Sequence, residues 1–368
     1  MKVLFIATAI YGLEGGLERF NRRLVRALSE LGLDGAVTAV DVVALSDEGA
    51  DAASAPPGVR MRGAGGSRVR AVYHFVWNAL RRQPRIVIYG YVGFVPLAPL
   101  LKVLVPRAVH LLIVHGVEVW REPTAARGWA TRHCLDAILS VSDFTVRRMS
   151  GYFGVSPQTF RVFPNGLDVD AAPPGAAPAT AGEPLAGSHR LLSVTRLSPA
   201  NRYKNIDKVI LALPRVLEAF PDTHYYIIGD GPWKPDLERI AHDAGIAPRV
   251  HFLGAVAEPM RDAVYAAADV FVLPSTGEGF GIVFLEAWKF GLPCISSNRD
   301  AASEVIRDGV DGYCIDPEPE RITEAVCSLL ADPQRRKAMG EAGRRRLLAN
   351  YTHENFRENL RTILAEFR

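Results

Sequence analysis

The chain has 368 residues, 48% of them hydrophobic, and a formal net charge of only +3. That length accommodates two domains, each with its own core. The four cysteines, Cys134, Cys294, Cys314 and Cys327, have neither metal-ligand spacing nor a disulfide framework, so no zinc site is assigned and the pattern fits a reducing cytoplasm.

A strand is expected at once, over Lys2 to Ala9, so no secretory signal is expected before it. The turn Gly12-Leu13-Glu14-Gly15-Gly16 joins it to a helix over Leu17 to Leu31. This turn lacks the full dinucleotide fingerprint and is by itself equally consistent with a connection that binds nothing. Ser46 to Gly66 reads as a loop without chemical signature. From Gly58 to Ile86 the chain carries Arg60, Arg62, Arg68, Arg70, Arg81, Arg82 and Arg85 and no acidic residue. Val69, Val72, Phe75, Val76, Ala79 and Leu80 recur there at helical spacing, with Tyr73 and Trp77 nearby. Two readings stand equal: an amphipathic helix that meets anionic lipid, or an apolar face packed on a sheet beneath solvated arginines. Residues 1–170 hold 20 Lys and Arg against 14 Asp and Glu, and the remainder 23 against 26, so only the first half is basic. Nucleic acid is a poorer partner for this patch, because no recognised binding module accompanies it.

Strands follow at Ile86 to Tyr89 and Val109 to Val114. The apolar region Phe94 to Val114 is interrupted by Lys102, Pro106, Arg107 and His110, which argues against a membrane span. His115 stands at the carboxyl end of the second of these strands, where ligands of parallel sheets bind, although a lone histidine is more often structural. Asn165 and Gly166 read as a turn. The stretch Ala171 to Ser188, rich in proline, alanine and glycine, reads as a linker between domains 1–170 and 189–351. Asp168-Val169-Asp170 matches a metal-binding acidic triplet, but so short a match arises by chance and borders the linker.

The strand–helix alternation then restarts, with strands at Leu191 to Thr195, Tyr225 to Ile228, Val250 to Leu253, Asp269 to Leu273 and Cys294 to Ser296. A second parallel sheet follows, and the fold class is α/β with two doubly wound, Rossmann-like domains facing a cleft. Arg196 follows its strand directly and Lys204 comes eight residues later, so the two bring positive charge to one sheet edge. Gly229-Asp230-Gly231-Pro232 lacks the spacing of an NAD loop. Pro274 to Pro293, PSTGEGFGIVFLEAWKFGLP, is the most informative segment. Its turn opens a helix over Ile282 to Phe290, whose first amides have no intrahelical partners and suit phosphate oxygens. Gly279 and Gly281 let a diphosphate approach the main chain beside Phe280, Ile282 and Val283. Glu278 in the turn and Glu286 one helical turn on are placed to accept hydrogen bonds from hydroxyls of a sugar and a ribose. The spacing favours a sugar nucleotide over a bare phosphate.

The EGFG turn with a second Glu eight residues on resembles the retaining glycosyltransferases of family 4. AIYGLEGGLERF, IVHGVEVW, VFPNGLDV, SVTRLSPANRYKNID, YYIIGDGP, VHFLGAV and DGVDGYCIDP occur in the order in which that family carries such segments, across nearly the whole chain. The resemblance implies the glycosyltransferase-B fold, with the final helix, roughly Asn355 to Phe367 within a tail 352–368, crossing back onto the first domain. It implies that Gly15 and Gly16 admit donor phosphate or acceptor and that His115 bonds donor sugar or acceptor hydroxyl. By the same likeness Asn165 and Gly166 lie beside the cleft, and Gly229 and Gly231 near the nucleotide base. Arg196, Lys204 and the amides at Gly281 and Ile282 would stabilise the departing diphosphate, with Glu278 orienting the sugar and Glu286 the ribose. No metal or cofactor is expected. The implied activity is retaining transfer of a hexose, mannose favoured over glucose, from a nucleoside diphosphate sugar to a glycan or lipid-linked acceptor, in surface polysaccharide or glycolipid synthesis. The implied location is cytoplasmic, with peripheral attachment to the inner membrane face if the basic helix meets lipid. An epimerase or phosphorylase of the same fold, or a noncatalytic nucleotide-sugar binder, are the alternatives.

Overall fold

Strands buried on both faces need no polar alternation, so parallel sheets are built from near-continuous apolar runs. The computed structural model describes residues 1–13, 15–49, 51–169 and 185–368. Its first sheet contains β1 (Lys2–Ala7), β2 (Ala39–Ala44), β3 (Val59–Gly63), β4 (Ile86–Tyr89), β5 (Val109–Val114), β6 (Ala137–Ser140) and β7 (Phe160–Val162). They lie in the order β3-β2-β1-β4-β5-β6-β7, all parallel. The crossovers carry α1 (Gly16–Leu33), α2 (Arg68–Arg82), α3 (Ala98–Leu104), α4 (Ala125–Cys134) and α5 (Asp143–Phe153).

The second sheet has the order β10-β9-β8-β11-β12-β13, from β8 (His189–Val194), β9 (Thr223–Ile228), β10 (Val250–Gly254), β11 (Val270–Leu273), β12 (Cys294–Ser297) and β13 (Gly312–Ile315). With it run α6 (Ile206–Ala219), α7 (Lys234–Asp243), α8 (Glu258–Ala267), α9 (Ile282–Lys289), α10 (Ala302–Val305), α11 (Pro319–Ala331) and α12 (Pro333–Asn350). The chain divides into one unit of Met1–Gly166 with Tyr351–Arg368 and another of Leu167–Asn350. Most of the stretch read as a linker, together with Glu14 and Asp170, lies outside the described residues.

In the first unit the closing helix, α13 (His353–Ala365), starts two residues before the expected Asn355 because Thr352 and Asn355 form a reciprocal capping box. It lies on α1, where Phe356 meets Phe20 edge to face at 5.3 Å and His353 Nε2 is 2.8 Å from Glu30. Gly166 abuts the same cap: a Cβ there would stand 2.8 Å from the Thr352 carbonyl, so its glycine has a packing reason.

Two sequence expectations are corrected in this unit. Ser46 to Gly66 is not a plain loop, because Val59–Gly63 pairs with β2 as the sheet edge. Its two arginines point outward and only Met61 is buried, a pattern without the apolar run of a central strand. The apolar residues of 69–80 do not form one face either. Ala71, Phe75, Asn78 and Ala79 of α2 are buried, whereas Val69, Tyr73, Trp77 and Leu80 form an opposite stripe, 80%, 59%, 40% and 45% exposed. Arg60 makes a two-armed pair with Asp41 of β2 and Arg82 lies 3.9 Å from it, so two of the seven arginines have an acidic partner from outside the segment. No helix among the described residues is long and apolar enough to cross a membrane.

In the second unit α12 approaches α9 closely at two glycines. A Cβ at Gly340 would stand 1.8 Å from the Gly291 carbonyl, and one at Gly343 would meet the ring of the buried Trp288 at 2.2 Å. Trp288 Nε1 also donates to the Asp311 carbonyl at 3.1 Å. These contacts fix the axis of α9, and with it the direction of its amino terminus.

Candidate functional site

In a doubly wound sheet, loops on either side of the point where strand order reverses diverge and leave a crevice at the carboxyl ends. In the second unit that point falls between β8 and β11. The loop after β8 carries Arg196 and Lys204, and the loop after β11 carries Glu278, Gly279 and Phe280, ending at Gly281, the residue that caps α9.

The two loops are tied together. Thr276 donates its amide to the Tyr203 carbonyl at 2.8 Å, and Asn205 Nδ2 donates to the Pro274 carbonyl at 2.7 Å. Gly277 passes the Tyr203 ring so closely that a Cβ would stand 2.6 Å from it. Lys204 Nζ then pairs with Glu278 Oε1, with 14% and 12% of the two side chains exposed. Burial pulls the Lys204 pKa down, but the Glu278 carboxylate, together with Tyr203 and Asp300, outweighs it and holds the ammonium above its ordinary value. Of the three N–H donors of this ammonium, one is committed to Glu278. Lys204 Nζ also lies 5.3 Å from the centre of the Tyr203 ring, and Arg196, on the exposed side, acts electrostatically on the same residue.

Glu286 has different company. It is 6% exposed and accepts a 3.1 Å hydrogen bond from the Tyr265 hydroxyl, while Arg261 senses its charge. Gly281 sits at φ 88°, which favours glycine, and a Cβ there would also strike the Phe284 ring at 2.5 Å. Ile282 and Val283 open α9 with partly exposed side chains, and Phe280 is buried. Gly229 and Gly231 have φ of 137° and 147°, and a Cβ on them would stand 1.7 and 2.2 Å from the carbonyls of Thr195 and Leu197. Both are needed where the β9 loop crosses the β8 loop, which brings Gly229 to Gly231 beside Arg196.

In the first unit the reversal falls between β1 and β4. Gly15 caps α1 in extended backbone and Gly16 begins it, where an added Cβ would meet nothing within 4 Å. His115, after β5, donates its main-chain amide to Glu118 and packs edge-on to Phe20 at 4.7 Å. Burial lowers its pKa, with Glu118 and Glu18 opposing. Its Nε2 and one oxygen of Glu18 are buried without a hydrogen-bond partner among the described residues.

The Lys204–Glu278 contact, Tyr203, Tyr265, Asp300 and Glu18 were not singled out from sequence. For Asp300 a signal existed: it follows β12 at the sheet's carboxyl edge, the same positional rule that selects Arg196.

Residues 185–346 match the model of the glycosyl transferases group 1 family, and residues 14–171 match that of glycosyltransferase family 4. A GDP-mannose-dependent alpha-(1-6)-phosphatidylinositol monomannoside mannosyltransferase of Mycobacterium tuberculosis is 33% identical over 69% of both chains. The chain belongs to glycosyltransferase family 4. A protein of the same description from Mycolicibacterium smegmatis is 37% identical over 64% of this chain and 65% of its own length, so the match spans just under two thirds of that relative. Among solved structures, sucrose-phosphate synthase of Thermosynechococcus elongatus superposes over the whole chain with a TM-score of 0.81 at 20% identity. The Anabaena protein HepE, crystallised with UDP, gives 0.78 at 18%, again over all of both chains. The two sheets of this glycosyltransferase thus have glycosyltransferase-B architecture.

Proposed function

We propose that this glycosyltransferase moves mannose from GDP-mannose to a hydroxyl of an inositol-phospholipid glycoside, with retention at the anomeric carbon and without a metal. The observation that carries the reading is the Lys204–Glu278 pair beside Arg196 at the reversal point of the second sheet. A cation beside a carboxylate suits a sugar diphosphate, which presents phosphate oxygens next to hydroxyls. Support for mannose and for the lipid acceptor comes from the activities of the relatives above.

In this mechanism the two uncommitted N–H donors of Lys204, the Arg196 guanidinium and the Ile282 and Val283 amides take up charge that grows on the departing diphosphate. Glu278 orients the sugar hydroxyls and Glu286 the ribose; in the first unit, we assign His115, Gly15 and Gly16 to the acceptor. A leaving phosphate oxygen helps take the acceptor proton on the same face of the sugar.

The lipid acceptor also gives the outer stripe of α2 a partner. Val69, Tyr73, Trp77 and Leu80 would enter the headgroup boundary of an anionic bilayer on its cytoplasmic side, flanked by Arg62, Arg70 and Arg81, the last of which lies over the Trp77 ring at 5.3 Å.

The decisive assay incubates the protein with GDP-mannose or UDP-glucose and with lipid extracts, with and without EDTA. A mannolipid of unchanged anomeric configuration plus free GDP, insensitive to chelation, is expected. Release of an isomerised nucleotide sugar would turn the reading to an epimerase, and loss of activity in EDTA restored by magnesium or manganese would remove the metal-free claim.

A further inference from the structure

Resting on that donor-site reading, we infer that Asp300 is a positioning residue of the site, holding the Glu278 main chain and through it the Lys204–Glu278 pair. Asp300 lies in the loop between β12 and α10 and is fully buried. Its Oδ2 accepts the Glu278 amide at 2.7 Å and its Oδ1 the Ala302 amide at 3.0 Å. The next residue answers in the opposite direction, since the Ala301 amide donates to the Glu278 carbonyl at 3.1 Å. One loop therefore grips both main-chain groups of Glu278 while its side chain meets Lys204.

Burying a carboxylate is costly, and here amides compensate both oxygens. The compensation is incomplete. Burial first, and the Glu278 carboxylate second, push Asp300 up to about 7 against the pull of those amides and of Lys204. The groups that face it are Lys204 and Tyr203 after β8, Glu278 after β11 and Cys314 of β13. A protonated carboxyl presents a hydroxyl where one amide points, so the grip on Glu278 is complete only while Asp300 is ionised. Donor engagement consequently weakens as pH falls through about 7.

GDP-mannose is a suitable probe, because both its phosphates are esterified and neither titrates near neutrality. By calorimetry, wild-type affinity is expected to drop on the order of tenfold from pH 8 to pH 6, and Asp300→Asn to be about as weak at pH 8 as wild type is at pH 6, without pH dependence. An Asn variant with wild-type affinity and an intact acidic limb overturns the inference. So does a wild type whose affinity is flat over that range, a result that needs no variant to fold. Hydrogen exchange reads the grip without a ligand: the Glu278 amide should exchange at least about tenfold faster in Asp300→Asn at pH 8 while β11 amides keep their protection, and unchanged exchange sinks the idea. If GDP-mannose fails to bind wild type at any pH, the donor reading falls instead, and the exchange experiment still decides on Asp300.

Discussion

Lys204 and Glu278 are each nearly enclosed, so what one loses on substitution depends on whether the other stays behind. Removing a single partner of such a pair leaves an uncompensated charge and costs about 3–5 kcal/mol, whereas removing both costs much less. Lys204→Ala should therefore lower the melting temperature more than Lys204→Met with Glu278→Gln together, while both lose at least on the order of tenfold in kcat/KM for the donor. Melting curves beside initial rates test this, and a double variant that melts below the single one would contradict it. At Asp300 the linkage runs the other way. Its pKa rises from 3.8 unfolded to about 7 folded, so the native state binds the proton more tightly and this group's contribution falls as pH climbs from about 4 to 7. The shift is worth on the order of 4 kcal/mol. Asp300→Asn abolishes the titration, and the variant's stability relative to wild type should improve steadily from pH 4 to pH 8 in denaturant titrations. A pH-independent difference would mean that Asp300 titrates normally.

At the scale of elements, helix α2 packs one face and leaves another outside, and the two should respond differently to truncation. Phe75 is fully buried, so Phe75→Ala should cost about 3–5 kcal/mol. Tyr73→Ala with Trp77→Ala removes exposed rings and should leave the melting temperature nearly unchanged, yet lower recovery with anionic vesicles in flotation; equal recovery would show that the stripe does not meet lipid. This helix also marks the limit of what periodicity conveys. Strands such as Ile86–Tyr89 and Val109–Val114 were legible to the residue because burial on both faces favours a near-continuous apolar run, which in the second His110 alone interrupts. In α2, apolar residues all around the helix did not tell which were turned inward, since that choice belongs to the sheet beneath. The same holds at the site. The EGFG turn and the two glutamates could be read directly, because local backbone needs put them there. Their partners could not: Lys204 is 74 residues from Glu278, and the Asp300 contact spans 22, so only folding decides who meets whom.

For the molecule as a whole, charge and topology separate two tasks. The surplus of Lys and Arg lies in residues 1–170, with the exposed apolar stripe, while Arg196 and Lys204, which we propose hold the diphosphate, lie in a half with more acidic than basic residues. Attraction of exposed arginines to anionic lipid is screened within about 10 Å at 0.1 M salt, but contacts made in an enclosed pocket are screened much less. Hydrogen exchange should then divide by ligand. Saturating GDP-mannose, at a hundredfold its dissociation constant, should stabilise by about 2.7 kcal/mol and protect residues 196–205, 276–284 and 298–302. Anionic vesicles should protect 68–82. Raising sodium chloride from about 0.05 to 0.5 M, which shortens the screening length several-fold, should erase the second pattern and leave most of the first. Were both patterns to vanish together, donor binding would rest on exposed charge, and the enclosed Lys204–Glu278 pair would not be where the diphosphate is held.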